Sequence, residues 1–404
     1  MQEKYKSMSN VPNLRFPEFK GEWEVKKLGE VAEINPSNKS LPIKFIYIDL
    51  ESVVNGELIK ENEILQSEAP SRAQRILKED DVLFQMVRPY QMNNLFFNKN
   101  GNYVASTGYA QIRTMQNSIF VFQYLHYQKF VDKVIERCTG TSYPAINSTD
   151  LSNIRISFPT LPEQQKIANF LSLIDEQIQT QNKIIENLKT LIKGTSEKLF
   201  TQKLRFKDDN GSDFLDWEVK KLGEIANRIT NKNKENNLNV LTISAQFGLI
   251  SQLEFFNKSV SAKDVTGYYL LNKNDFAYNK SYSNGYPMGA IKRLSRYKKG
   301  VVSTLYICFR FNDSINFKFM AHYFETGFQN SEIEKVAQEG ARNHGLLNIG
   351  VSDFFNINLN LPSLPEQNQI ANFLSQIDEK IETEKKLLVQ YEDQKKYFLQ
   401  NLFI

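Results

Sequence analysis

Apolar residues recur at spacings of three and four along two stretches of this chain. The first holds Ile167, Phe170, Leu171, Ile174, Ile178, Ile185, Leu188, Ile192 and Leu199. The second holds Ile370, Phe373, Leu374, Ile377, Ile381, Leu388, Tyr391 and Phe398. That period predicts two long amphipathic helices, over 162–202 and 365–401. Pro162 and Pro365 suit a first helical turn, and Glu163 and Glu366 beside them complement the positive N-terminal end. A heptad-like seam with charged flanks predicts a coiled coil, and the polar interruptions Gln181, Thr195, Glu384 and Lys395 would fix its register. At 1.5 Å per residue each helix spans roughly 50 Å. Two separate surface helices are the alternative, but each stripe needs a partner of similar length.

Elsewhere the pattern is shorter-ranged. Apolar, β-branched and aromatic runs at 45–48, 82–87 and 103–112, then at 240–244, 276–278 and 301–311, predict strands. Around 121–136 and 317–335 the pattern turns helical. The two series answer one another. Trp23-Glu24-Val25-Lys26-Lys27-Leu28-Gly29-Glu30 recurs letter for letter from Trp217 to Glu224. Leu-Pro-Glu-Gln at 161–164, running into Ile-Ala-Asn-Phe-Leu-Ser at 167–172, recurs at 364–367 and 370–375. Weaker echoes join Ser106, Thr107, Tyr109 and Arg113 to Ser303, Thr304, Tyr306 and Arg310, and His126-Tyr127 to His322-Tyr323. Each half therefore reads as an opening segment, a variable compact α/β domain and a closing helix. A chain that repeats its framework and varies what the framework holds presents two recognition surfaces.

Composition narrows this reading. A chain of 404 residues with 41% hydrophobic and 12% aromatic residues can bury several cores. Two cysteines, Cys138 and Cys308, with three histidines exclude a disulfide framework and a conventional zinc site, and suit a reducing cytoplasm. No apolar run reaches the roughly eighteen residues of a membrane span, and the polar start has no signal-peptide core. The formal charge of +4 allows contact with DNA through local basic loops but not a strong grip by this chain alone.

Catalytic motifs are scarce. The chain contains no Gly-Lys dipeptide, hence no phosphate-cradling P-loop, and no GxGxxG stretch. Asn35-Pro36-Ser37-Asn38 does not match the Asn-Pro-Pro-aromatic signature of amino-group methylation. Glu24-Val25-Lys26 and its repeat resemble the end of a metal-dependent nuclease site but lack an upstream acidic partner. His126 and His322 sit among aromatics, where core or boundary roles are expected. No catalytic residue and no metal site is assigned.

Base reading needs Arg or Lys for guanine, Asn or Gln for adenine, and polar groups for the backbone. Such residues cluster at Arg72, Gln74 and Arg75; at Gln85, Arg88, Tyr90, Gln91, Asn93 and Asn94; and at Thr141, Ser142 and Tyr143. The second half offers Asn279, Lys280, Tyr282, Ser283, Asn284 and Tyr286, then Lys292, Arg293 and Arg296, then Arg342, Asn343 and His344. Any one cluster resembles an ordinary solvated loop; their recurrence at matching points favours DNA contact.

Together the repeats resemble the specificity subunits of type I restriction–modification systems over essentially the whole chain. Leu361-Pro362-Ser363-Leu364-Pro365-Glu366-Gln367 carries the likeness in full; Phe158 replaces the first leucine in the other copy. Trp-Glu-x-Lys-Lys-Leu-Gly-Glu, Arg88-Pro89-Tyr90, and Gly289 to Arg293 before Gly300 to Ser303 are similarly typical. The resemblance implies an α+β fold: two pseudo-symmetric α/β target recognition domains separated by two long antiparallel helices forming a coiled coil. The first domain would cover 1–160 (opening segment 14–32, variable part 33–160) and the first spacer helix 161–202. The second would cover 203–363 (opening segment 204–226, variable part 227–363) and the second spacer helix 364–404.

The function implied is non-catalytic reading of a bipartite double-stranded DNA target, one half-site per domain. Two modification subunits would bring S-adenosylmethionine for adenine N6 methylation, and motor–nuclease restriction subunits would join them. No cofactor would be bound by this chain. Ile167, Phe170, Leu171, Ile174, Ile178, Ile370, Phe373, Leu374, Ile377 and Ile381 would serve the helix pair and partner docking. The rival readings are a duplicated coiled-coil scaffold with no DNA role and, more remotely, a fused restriction enzyme.

Overall fold

The computed structural model describes residues 10–38, 40–258, 261, 264–337 and 347–404. Packing divides the chain into two units, Met1–Lys183 with Lys386–Ile404, and Ile184–Lys385. Each border falls inside a long helix (Leu161–Phe200 or Leu364–Leu402). Each unit therefore holds one β-rich domain, the start of one long helix and the end of the other.

In the first unit the two helix segments run antiparallel. Phe170 meets Phe398 edge to face at 4.7 Å, and one turn further on Lys395 pairs with Asp175 at 2.5 Å. Lys395, one of the polar interruptions of the seam, thus has a charged partner at a single register. In the second unit Ile192, Leu199 and Phe200 share a core with Ile370 and Leu374.

The Leu-Pro-Glu-Gln repeat explains how a domain is fastened to its helix. Glu163 is 1% exposed and accepts from Arg15 Nε and Nη2, both at 2.7 Å, and from Trp23 Nε1 at 3.3 Å. A buried carboxylate is tolerated here because a guanidinium fork and the helix N-terminus both compensate it. Gln164 donates to Pro159 O and Gln116 Oε1 and accepts from Asn117 N. Asn117 in turn caps the helix Ser118–Tyr124. The second unit repeats this: Glu366 binds Arg205 at 3.1 and 2.9 Å, and Gln367 accepts from Asn316 N, the cap of Phe317–Thr326.

Both domains use one sheet plan. The opening strand Glu24–Lys27 pairs antiparallel with Arg155–Phe158, and Glu218–Lys221 with Asn358–Leu361. A four-stranded sheet follows, ordered Ala32–Ile34, Tyr109–Thr114, Asp81–Gln85, Leu95–Phe97 in the first unit. The second unit gives Ala226–Arg228, Ile307–Phe311, Phe276–Asn279, Ala290–Arg293 in the same order. Asp81, fully buried, accepts from Arg113 Nε and Nη2 at 2.8 Å; Asp275 accepts from Arg310 at 2.6 and 2.9 Å. The echoed arginines of the sequence are therefore structural clamps at the start of the central strand.

Two expectations are refined. The run 103–112 is two strands, Tyr103–Ser106 and Tyr109–Thr114, because Thr107-Gly108 turns between sheets; Thr107 N donates to Arg72 O and Gly108 O accepts from Met86 N. Each helical stretch is also two helices. Tyr127 is extended between Ser118–Tyr124 and Gln128–Ile135, and Gly327, at φ 76°, ends Phe317–Thr326 before Asn330–Val336. Among the described residues no helix is long and apolar enough to cross a membrane.

Candidate nucleic-acid interface

The loop after the first unit's central strand is held from below by its own amides. Gln85, buried, donates to Val87 O at 2.8 Å and Gln91 Oε1 at 2.9 Å, and accepts from Asn93 N. Asn94, also buried, accepts from Gln85 N, and Asn93 Nδ2 donates to Val53 O at 2.6 Å. These side chains shape the loop; Gln85 and Asn94 present no surface to a ligand.

What the loop lifts out is Arg88. Its backbone is left-handed (φ 54°, ψ 53°), a conformation costly for a long side chain and typical of functional loops. Arg88 N donates to Pro144 O at 2.7 Å, and a bridge joins Val87 to Ala145, so a second loop is tied alongside. Tyr143 of that loop, 65% exposed, lies under the guanidinium at 4.2 Å. Arg88 is half-buried, with its Nε enclosed and without a partner among the described residues, and a stacked guanidinium has fewer orientations to lose on binding. Tyr90 and Gln91 stand exposed beside it, as do Thr141 and Ser142. Arg72 and Gln74 are exposed on the adjoining sheet, linked to this rim through the Thr107-Gly108 turn. Arg75 is half-buried, and burial lowers its pKa.

The second unit solves the same position differently. Lys280 Nζ reaches Ile349 O at 3.5 Å, and its carbonyl accepts from Leu347 N. The turn Ser283 to Tyr286 projects Tyr282, 63% exposed, and Asn284. Asn279 accepts from Ser281 N. Tyr286 and Lys292 turn inward: Lys292, 6% exposed, donates to both Glu325 oxygens at 2.6 and 2.8 Å and to Tyr286 Oη at 2.9 Å. Arg293 lies over Phe317 at 5.1 Å, with burial lowering its pKa, while Arg296 is exposed. Arg342, Asn343 and His344 lie outside the described residues. The sequence clusters thus split: Arg88, Tyr90, Gln91, Tyr143, Tyr282 and Asn284 are presented, whereas Gln85, Asn94 and Lys292 are spent inside the protein.

A cleft lies between domain and helix in each unit, about 1040 Å³ in the first and about 910 Å³ in the second. The paired histidines line these clefts. His126 Nδ1 faces Phe122 O at 2.8 Å, and His322 Nε2 lies 3.8 Å from Asp378. Burial pushes both imidazoles down to about 4, helped in the second unit by Arg293 and Lys318. They are neutral at physiological pH. The helix residues Ile167, Leu171, Ile174, Ile370, Leu374 and Ile381 are buried in their own units; Phe170, Ile178 and Ile377 are partly buried and Phe373 is 38% exposed. Most of this set is therefore buried within its own unit, packing helix against domain, and leaves little for a partner.

Sequence reasoning missed Arg15, Trp23, Arg205 and Gln164 as positioning residues, although Leu-Arg-Phe before each Trp repeat was a visible signal.

A family profile for the "Type I restriction modification DNA specificity domain" matches residues 20–190 and again 215–392. The chain is 28% identical over 427 residues to the type I restriction enzyme MjaVIII specificity subunit of Methanocaldococcus jannaschii, covering 97% of this chain and 94% of the relative. It is 23% identical over 161 residues to the HindI specificity subunit of Haemophilus influenzae, covering 38% and 35%. The fold is similar to the S subunit of a type I restriction–modification system from M. genitalium, with TM-score 0.57, 16% identity, and 98% and 99% of the two chains covered. It is also similar to a chain solved in a study of complex assembly and conformational transition of the type I R-M system, with TM-score 0.53, 22% identity and coverage of 94% and 96%.

Proposed function

The chain belongs to the type I restriction–modification DNA specificity family, and on that premise we propose that its two units each read one half of a split DNA target. The protein is the non-catalytic specificity subunit with two target recognition domains. The observation that carries the finer reading is the contrast between framework and rim. Both units repeat the Arg–Glu and Arg–Asp clamps. The loops over the central strands present Arg88 and Tyr143 in one unit and Tyr282 and Asn284 in the other.

In this mechanism residues 33–160 and 227–363 lay these loops into successive major grooves. Arg88 supplies a guanidinium for a guanine edge, held by Tyr143. Exposed Arg72, Gln74, Tyr90 and Gln91 in the first domain, and exposed Asn284 with the half-buried Lys280 and Ser283 in the second, position the backbone or read neighbouring bases. The helices set the gap between half-sites and help recruit two modification subunits, which carry S-adenosylmethionine for adenine N6 methylation. Restriction subunits complete the complex, which acts on cytoplasmic DNA. The modest net charge of +4 fits a chain whose partners share the phosphate grip.

A genome-wide adenine-methylation map tests this, in a host without other such activity that expresses the chain with its modification subunit. The expected result is one split motif with a fixed gap; absence of methylation with a soluble complex and an active partner overturns the reading. Gly194 lies in the first long helix, and a Cβ added there would meet no neighbour within 4 Å. Insertion of about one helical turn at this point should change the gap and leave both half-site sequences intact; altered letters would overturn the helix-set spacing.

A further inference from the structure

The two rims can be laid over one another through the buried aspartates that open their central strands. Counting without a gap from Asp81 and from Asp275 places Gln85 on Asn279, Met86 on Lys280, Arg88 on Tyr282 and Tyr90 on Asn284. The hydrogen bonds agree with this count. Gln85 and Asn279 each fold back on their own loop, accepting from Asn93 N and Ser281 N. A second loop is tied to Met86 O by Ile146 N, and another to Lys280 O by Leu347 N. The position that lifts a guanidinium in the first unit therefore lifts a phenol ring in the second.

What stands clear on the second loop is neutral. Lys280, the one cation between 280 and 289, is half-buried with its Nζ 3.5 Å from Ile349 O. Arg293 and Arg296 belong to the other end of the sheet, because Asn279 pairs with Ala290 and Phe276 with Arg293. At the tip a tight turn holds Asn284. Tyr286 N donates to Ser283 O at 2.8 Å, and Gly285, at φ 81°, takes the left-handed position, so the Asn284 side chain is not spent on the turn. Tyr286 anchors it, its Oη donating to Glu325 at 2.6 Å and accepting from Lys292 at 2.9 Å. Asn284 itself is exposed, and its amide has no hydrogen-bond partner among the described residues.

The chemistry of base edges decides what such a tip can read. A guanidinium offers donors only and suits the two acceptors of guanine. A carboxamide offers one donor beside one acceptor, which matches N6 and N7 of adenine and mismatches guanine. The ring of Tyr282 beside it supplies an apolar surface of the kind that contacts a thymine methyl. We propose that Asn284 reads an adenine of the second half-site, so that the rims divide the target: an A·T pair under the second, a G·C pair under the first. That this rim lies on DNA rests on the reading under Proposed function; the choice of base comes from the amide and from the loop's lack of a free cation.

The test is competition binding by the full chain, loaded with its modification subunit, to duplexes carrying each single substitution in both halves of its mapped target. Asn284→Ala should erase discrimination of roughly tenfold at one A·T pair of the second half-site and leave the first half-site untouched. A deazaadenine lacking N7 at that pair should weaken the unchanged chain and not the variant. Asn284→Asp, which accepts but does not donate, should move the preference there to cytosine. Thermal melting confirms that these changes at a turn tip leave folding intact. If Asn284→Ala loosens a G·C pair, weakens all duplexes alike as loss of a phosphate contact would, or changes nothing, the proposal is overturned and the split-target reading stands. An unchanged chain that yields no mapped target, or binds every duplex equally, overturns both.

Discussion

The two units share a skeleton and differ at its edge. In the first, the outer sheet is complete: Asn62–Leu65, Lys44–Ile48, Tyr103–Ser106 and Ala73–Ile76 lie side by side, with a parallel pair at the centre. In the second, the same order survives as two separate pairs, Leu241–Ser244 with Gly248–Ser251 and Tyr269–Asn272 with Lys299–Val302. A single parallel bridge, Val240 to Val301, stands where the central pairing would be. The inner sheet and the helix fastening do not drift in this way. The difference follows from what each region buries. A half-paired buried charge is costly, so Arg–Glu and Arg–Asp clamps hold their geometry, whereas an outer sheet and its loops can exchange partners with water.

The largest test of this contrast lies in the clamps. Glu163→Ala and Glu366→Ala each leave an arginine without its fork partner and should cost about 3–5 kcal/mol. Glu163 should be the more costly, because Trp23 Nε1 donates to it whereas Trp217 Nε1 is buried without a partner among the described residues. Chemical denaturation of the two variants measures this; equal losses would show that the indole bond adds nothing.

Next come the rims, where the units should part company. Arg88→Ala should relax one position of the first half-site by about 1–3 kcal/mol of discrimination and leave the second unchanged. Lys292→Met, at a residue committed to Glu325, should alter neither half-site. Methylation maps of both variants decide, and a changed second half-site in Lys292→Met would make that lysine a reader.

The smallest effect is one the units should share. His126 and His322 sit near 4 against an ordinary imidazole value of 6.5, because burial disfavours the charged ring. The folded state therefore binds fewer protons between these values, so their stabilisation is complete above about 6.5 and is lost as pH falls toward about 4. At pH 6 each should cost about 0.7 kcal/mol relative to pH 7. Denaturation midpoints across pH 7 to 4 check this; replacing both rings by glutamine should flatten the slope.

The periodicity of Ile167 to Leu199 and of Ile370 to Phe398, together with the two repeated motifs, was enough to read two long helices, a duplicated framework and the family. Those features depend on local pattern, which a linear chain displays. Which side of the polar clusters faces out was not legible. Gln85, Asn94 and Lys292 resemble base readers in one dimension and serve as struts in three, because the loop after Asp81–Gln85 folds back to bring Val87 O, Gln91 and Asn94 to Gln85, and the helix Phe317–Thr326 packs to bring Glu325 to Lys292. Tyr143 met Arg88 only because a bridge from Val87 to Ala145 closes a long loop. Sequence alone determined the elements and their duplication, since helix period and capping residues act over a few positions. Tertiary structure decided which polar groups are spent and which are offered, since each buried donor must find an acceptor that distant chain segments supply.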